Sequence, residues 1–336
     1  MITAIGASTQ PDALPDWRQS LRDAVTDPRE LLELVDLPQL AARLPANDAG
    51  FALRVPRGFI NRMRPGDPND PLLLQVLPQL AELDEAPGYT HDAVGDLDAV
   101  KVRGVLHKYD GRALLIAAGS CAVNCRYCFR RHFPYAEELA AAHAWRAAVD
   151  CVAADTSIRE VILSGGDPLV LSTQKLTDLT DAFHDLPHVI RLRLHSRLPV
   201  VLPERIDAVL CAWLAALPLQ RVMVIHANHP NELDADVGAV CARLRDAGVT
   251  LLNQSVLLRG INDDADALAG LSERLFALGV LPYYLHQLDR VRGTAHFEVP
   301  DAHARRLVDT LRGRLPGYLV PRLVRELPGE AAKRPV

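Results

Sequence analysis

Six short apolar runs, at 113–118, 161–164, 189–194, 222–226, 250–255 and 280–285, are separated by stretches with helical periodicity, and this rhythm restricts the fold more than any other feature. From the second run onward they recur about every 30 residues, the length of one strand plus a crossover helix. Across 137–154, for instance, Leu139, Ala142, Trp145, Val149 and Val152 fall on one helical face. Successive units of this kind need right-handed crossovers and therefore a parallel sheet. Six units, with a seventh strand near 318–324, predict the α/β class and a partial (β/α)6-type barrel. A doubly wound open sheet is the architectural alternative, because periodicity does not reveal strand order. The barrel core is expected over 101–315, after a helical N-terminal extension at 1–100 and before a short segment at 316–336 that carries a strand and a lysine. In the extension, Asp27 is placed to cap a helix with Pro28 at its first position, Glu30 reaching back, and Leu31, Leu32, Glu33 and Leu34 in its body.

The 336 residues hold 37 Lys+Arg against 42 Asp+Glu, a formal net charge of −5. So near a balance gives no support to a nucleic-acid or membrane-surface partner, and none is expected. With 49% hydrophobic and 24% charged residues the chain can bury a large core, which excludes the disordered and fibrous classes. The opening residues, Met1-Ile2-Thr3-Ala4-Ile5, show no basic leader, and no stretch reaches the roughly 18 uncharged apolar residues of a membrane span. A cytoplasmic location is the expectation.

In either architecture ligands sit at the carboxyl ends of the parallel strands. The unusual residues of this chain fall there repeatedly: Ser164-Gly165-Gly166-Asp167, His195-Ser196-Arg197, His226-Ala227-Asn228-His229, Asn253-Gln254-Ser255 and Tyr283 to Asp289. After the first run comes Cys121-Ala122-Val123-Asn124-Cys125-Arg126-Tyr127-Cys128, half of the six cysteines within eight positions. Thiolates at that spacing converge on one metal centre. An iron–sulfur cube needs one external ligand per iron, so three cysteines leave one iron open for chemistry. The alternatives are a zinc knot of the three cysteines with His132, or three ordinary core cysteines.

Cys121, Cys125 and Cys128, with an aromatic residue before the third, resemble the cluster motif of the radical S-adenosylmethionine superfamily. The resemblance implies a [4Fe-4S] cluster and S-adenosyl-L-methionine as cofactors, in the partial barrel of that superfamily. Ser164-Gly165-Gly166-Asp167 resembles the turn that contacts the methionine moiety, although a strand-to-helix turn can use two glycines without any ligand. His195, Arg197, His226 and Gln254 are implied as further contacts to S-adenosylmethionine.

The wider pattern is similar to the lysine 2,3-aminomutase family over most of 95–333. It is carried by Cys128-Phe129-Arg130-Arg131, His195-Ser196-Arg197-Leu198-Pro199, His226-Ala227-Asn228-His229-Pro230, Asn253-Gln254-Ser255 and Pro282-Tyr283-Tyr284. That family uses pyridoxal 5′-phosphate, and Pro328-Gly329-Glu330-Ala331-Ala332-Lys333 places Lys333 where its cofactor lysine lies. By chemistry alone Lys333 reads as an ordinary tail lysine, and only the resemblance makes it catalytic. Lys108, Tyr109 and Arg112 match the phosphate-binding positions. Arg130 matches a clamp on the substrate carboxylate, and Asp289 and Glu326 match the acids that meet the ε-ammonium of L-lysine. Glu326 stands where the free-lysine enzymes carry aspartate. For Asp289 the plain alternative is a surface partner of Arg290 or Arg292.

Glu326, Phe129 and the close of the sequence at Val336, with Trp17-Arg18-Gln19-Ser20-Leu21-Arg22, resemble the branch of that family that serves elongation factor P. This implies an isomerase converting (S)-α-lysine to (R)-β-lysine, a separate ligase that attaches the product to elongation factor P, and a reductant of flavodoxin or ferredoxin type. It also implies a tendency to form a homo-oligomer. The alternatives are a free-lysine or glutamate 2,3-aminomutase, the latter if Asp289 and Glu326 point away from the substrate; a radical enzyme without pyridoxal phosphate; and a zinc-binding interaction protein.

Overall fold

A computed structural model describes residues 16–46, 50–138 and 144–336. Ten strands form one sheet: β1 (Val100–Val102), β2 (Val105–Tyr109), β3 (Arg112–Ala118), β4 (Glu160–Gly165), β5 (Arg191–Ser196), β6 (Gln220–Ile225), β7 (Thr250–Val256), β8 (Leu281–His286), β9 (Arg322–Arg325) and β10 (Arg334–Pro335). They lie side by side in chain order. Strands β3 to β9 are parallel, while β1, β2 and β10 are antiparallel additions at the two ends. The order never reverses, so there is no switch point and the doubly wound alternative is excluded. The result is a partial barrel.

Burial along the strands explains its hollow inside. In β4, Val161, Ile162 and Leu163 are all buried, as expected for a parallel strand covered on both faces. In β5 Leu192 and Leu194 are buried against the outer helices, while the alternate residues Arg193 and His195 face a central cavity. In β7, Asn253 and Ser255 are buried while Gln254 and Val256 turn to the same cavity.

The first strand-forming residues of the barrel and the seventh differ from expectation. The 100–109 hairpin lies too short and too charged to read as strands, yet it extends the sheet edge next to β3. The last parallel strand starts at Arg322 and not near 318, because 317–319 form a 3-10 turn and Pro321 has no N–H to give a ladder. In the stretch expected as helix over 137–154, the described residues are helical at Tyr135–Glu138 and Ala144–Ala154; Leu139 and Ala142 fall outside the described residues.

The N-terminal residues pack on the barrel and share its core, with Trp17, Leu31, Leu32 and Phe59 in the same apolar cluster as Leu163 and Leu194. The helix Pro28–Leu34 has Asp27 as its cap, accepting from the Arg29 N–H at 2.8 Å. Glu30 does not reach back to the cap; it pairs with Arg57 Nη2 at 2.5 Å. Among the described residues no helix is long and apolar enough to cross a membrane.

Candidate active site

A cavity of about 700 Å³ fills the hollow of the barrel, and the three loop cysteines, the residues expected to meet S-adenosylmethionine, pyridoxal phosphate and lysine, and Lys333 all line it, whereas His132, Ser196, His229, Asn253 and Ser255 do not. Cys121, Cys125 and Cys128 stand at one end, and Lys333, Glu326 and Asp289 are also in its wall. Cys151, Cys211 and Cys241 lie elsewhere.

The cysteine loop is held from below by the N-terminal residues. The Asn124 N–H donates to the Arg54 carbonyl at 3.0 Å, and the Arg126 N–H to the Gln75 carbonyl at 2.8 Å. Between Cys125 and Tyr127, the Arg126 side chain is fully buried; its Nε and Nη2 donate to Glu82 at 2.8 and 2.5 Å, and Nη1 to the Phe51 carbonyl at 2.6 Å. Arg131 Nη2 donates to the same Glu82 carboxylate at 2.8 Å. Burial raises Glu82's pKa, but the two guanidiniums outweigh it and hold the carboxyl below the usual glutamate value. A second buried network joins Tyr127, Gln75, Arg197, Asn228 and Glu232, with Arg197 Nη2 at 2.8 Å from Gln75 Oε1 and 3.1 Å from Glu232 Oε2.

Burial pushes all three loop thiols up, Cys128 to about 11 with Cys125 as the next cause. They therefore sit in one another's field, the arrangement a shared cationic centre would relieve. Among the described residues no three His, Cys, Asp or Glu side chains are set to hold a single metal ion. His132 does not join the thiols: its Nε2 meets the Arg292 carbonyl at 3.1 Å and its ring packs on His91 at 4.5 Å.

The turn after β4 explains its glycines without a ligand. Gly165 has φ +113°, and a Cβ there would lie 2.6 Å from the Ala118 carbonyl oxygen; at Gly166 it would strike the backbone of Ser120. The cysteine loop and this turn thus press together, with the Gly166 and Asp167 N–H groups donating to Ala118 and Ser120 at 2.7 and 2.9 Å. Asp167 lines the cavity and is tied into the fold as well. Its carboxylate is spent on the chain itself, accepting from Leu169 N–H at 3.0 Å, Ser196 Oγ at 2.8 Å and Arg197 N–H at 2.7 Å, which fixes the turn after β5. Burial nevertheless raises it to about 6.

His195 and His226 meet edge to face at 5.7 Å. Burial keeps both neutral, His226 at about 3, and His226 Nε2 is buried without a partner.

At the lysine end, Lys333 Nζ donates to Glu326 Oε2 and stands 5.9 Å from the centre of the Tyr284 ring. Lys108 also lines the cavity, and its Nζ is surrounded by Asp96 Oδ1 at 2.5 Å, the Val94 carbonyl at 2.9 Å and Glu326 Oε1 at 3.0 Å. Arg112 packs over the Tyr109 ring at 4.6 Å, and Arg193 and Arg322 line the cavity as further cations. Arg130 donates through Nε to Asp96 Oδ2 at 2.6 Å and through Nη1 to Ser164 Oγ at 3.1 Å. Asp289 has a buried Oδ1 with no partner, and burial, then Glu326, raises its carboxyl to about 7. Arg290 and Arg292 pair instead with Glu298 and Glu85.

Sequence reasoning missed Asp96 and Glu82, and took in His286 only as part of the stretch from Tyr283 to Asp289. Nothing periodic marks the first two: Glu82 lies in the short 3-10 helix Leu80–Leu83 and Asp96 just before the 3-10 helix Leu97–Ala99. His286, whose Nε2 is buried without a partner, is two residues past Tyr284 on β8 and so on the same face, a signal strand alternation offered.

A sequence profile described as "4Fe-4S single cluster domain" matches residues 110–188. The chain is 50% identical over 323 residues to the L-lysine 2,3-aminomutase of Escherichia coli (strain K12), covering 96% of this chain and 94% of that protein. It is 34% identical over 324 residues to the L-lysine 2,3-aminomutase of Clostridium subterminale, covering 96% of this chain and 77% of that protein. Among solved structures, a radical SAM methyltransferase from Sphaerobacter thermophilus aligns with 66% of this chain and 68% of its own at a TM-score of 0.46 and 17% identity.

Proposed function

Because the chain belongs to the radical S-adenosylmethionine lysine 2,3-aminomutase family, we propose that it moves the α-amino group of L-lysine to C3, giving β-lysine, with pyridoxal phosphate carried on Lys333. The observation that supports this best is that one cavity is lined by all three loop cysteines together with a half-buried lysine paired to Glu326. When bound, the [4Fe-4S] cluster and S-adenosylmethionine supply a 5′-deoxyadenosyl radical, and pyridoxal phosphate supplies a π-system that makes a nitrogen shift accessible.

The residues divide the work. Cys121, Cys125 and Cys128 would hold the cluster, and the Gly165-Gly166 backbone with neutral His195 and His226 would face S-adenosylmethionine. Arg112 and Tyr109 suit a phosphate monoester. Arg130 is the cation for an α-carboxylate. Asp289, with its unpartnered oxygen, suits the ε-ammonium, and Glu326 stands near it. Both acids line the cavity, which favours lysine over glutamate as substrate. Lys333 Nζ donates to Glu326 Oε2, so that contact must be given up before the nitrogen acts as a nucleophile. The barrel wall and the buried histidines keep water from the reacting carbons.

Transfer of (R)-β-lysine to elongation factor P by a separate ligase is the use supported by Phe129 and Glu326, and a flavodoxin or ferredoxin is the reductant class that suits it. The test is anaerobic reconstitution with iron and sulfide, then incubation with dithionite, S-adenosylmethionine, pyridoxal phosphate and L-lysine. β-Lysine is expected from the wild type and from neither Cys125→Ala nor Lys333→Ala. 5′-Deoxyadenosine without β-lysine would retain the radical chemistry and reject the substrate.

A further inference from the structure

Asp96 comes from the segment before the barrel, yet its side chain reaches the cavity and is only 3% exposed. One carboxylate oxygen accepts from Arg130 Nε at 2.6 Å and the other pairs with Lys108 Nζ at 2.5 Å. The turn that carries it is itself fixed. Asp92 accepts from the Asp96 and Leu97 N–H groups, both at 2.9 Å. Gly95, at φ +66°, passes so close to Pro328 that a Cβ would stand 3.0 Å from that side chain. The turn is thereby braced against the segment that leads to Lys333.

A guanidinium is planar, so two anchors on different nitrogens set its plane and its direction. Asp96 holds Nε and Ser164 holds Nη1 at 3.1 Å, which leaves the Nη2 side of Arg130 to meet a ligand. We infer that Asp96 is a positioning residue that aims Arg130 at the α-carboxylate of the amino-acid substrate, and so makes recognition of the free carboxylate depend on the N-terminal segment. This rests on the reading of Arg130 as the carboxylate clamp. Without Asp96 the guanidinium keeps one anchor and can swing, and a short two-point contact becomes a loose one.

The experiment compares two ligands that differ only at that end. Binding of L-lysine and of L-lysinamide, which has no carboxylate, is measured by calorimetry on the reconstituted holoprotein. The wild type is expected to prefer lysine, and Asp96→Asn to lose about tenfold of that preference while binding of lysinamide changes little. In an Arg130→Lys background, Asp96→Asn should remove no further preference, because the effect passes through Arg130. Asp96→Glu, which keeps the charge, should fold where Asn does not and should lose part of the preference, since the longer arm displaces Arg130. Equal weakening of both ligands in Asp96→Asn, or an unchanged preference in either variant, overturns the proposal while leaving the clamp. A wild type with no preference for lysine overturns the clamp, and the proposal with it.

Discussion

Glu82 grips Arg126 through both carboxylate oxygens, with contacts of 2.8 and 2.5 Å, and Arg126 stands between two of the three cysteines that point into the cavity. The cysteine loop therefore depends on residues more than forty positions earlier in the chain. Glu82→Gln leaves Arg126 and Arg131 buried beside a neutral amide, at a cost of about 3 kcal/mol. The expected outcome is a lower unfolding midpoint in denaturant and a faster loss of iron to a chelator. Since the folded Glu82 titrates below its ordinary value of 4.5, its contribution is present above that pH and is lost as pH falls through the folded pKa. Wild-type stability should fall more steeply below that pH than the stability of Glu82→Gln.

Gly166→Ala places a methyl group against the Ser120 backbone, one residue before Cys121. Backbone cannot yield as a side-chain tip does, so the two loops must separate, at about 1–3 kcal/mol. Iron content after reconstitution should drop in this variant, as measured by metal analysis. Full retention of iron would show that the turn and the cysteine loop move independently.

Asp289 supplies a pH dependence. Its carboxyl is raised to about 7, first by burial and then by Glu326, with Asp96 adding to the rise and Lys333 and Lys108 opposing it. Below that value the ligand-free protein holds it protonated and neutral, and an ammonium ligand prefers the carboxylate. Lysine affinity should therefore increase as pH climbs through about 7, and Asp289→Asn should remove the increase and weaken binding. The stability effect has the opposite sign: a folded pKa above the unfolded one means that this group costs stability as pH rises from near 4 toward 7. Titration calorimetry at several pH values checks the first, and denaturant unfolding the second.

Lys108 and Arg112 part company under mutation. Lys108→Met strips a cation from Asp96 and Glu326, so the melting temperature should fall, yet the preference for pyridoxal phosphate over pyridoxal should stay near that of the wild type. Arg112→Met should lower that preference by about tenfold. The ratio of the two vitamer affinities, read from cofactor absorbance, decides between them. A collapse of the ratio in Lys108→Met would return that residue to the phosphate.

Much of this site was legible because its chemistry falls at strand ends, where a βα rhythm exposes it. The parallel strands β3 to β8 were readable as apolar runs, and the cysteine spacing with His195, His226 and Gln254 marked a single rim. Two kinds of residue escaped. Asp96 and Glu82 act from segments with no periodicity, so only the folded chain brings them under Arg130 and Arg126. Nor does the sequence show the partners that Asp167 and Lys108 take within the fold, backbone N–H groups for the first and Asp96 and Glu326 for the second. Composition names a donor; packing decides who receives it.

The most direct measurement is the fate of one nitrogen. L-Lysine labelled with nitrogen-15 at its α-amino group, incubated with the reconstituted protein and both organic cofactors, should yield β-lysine carrying the label on C3, as read by mass spectrometry of fragments. Unlabelled β-lysine, or 5′-deoxyadenosine formed while all label stays on C2 of lysine, would contradict a 2,3 migration of the amino group in this cavity.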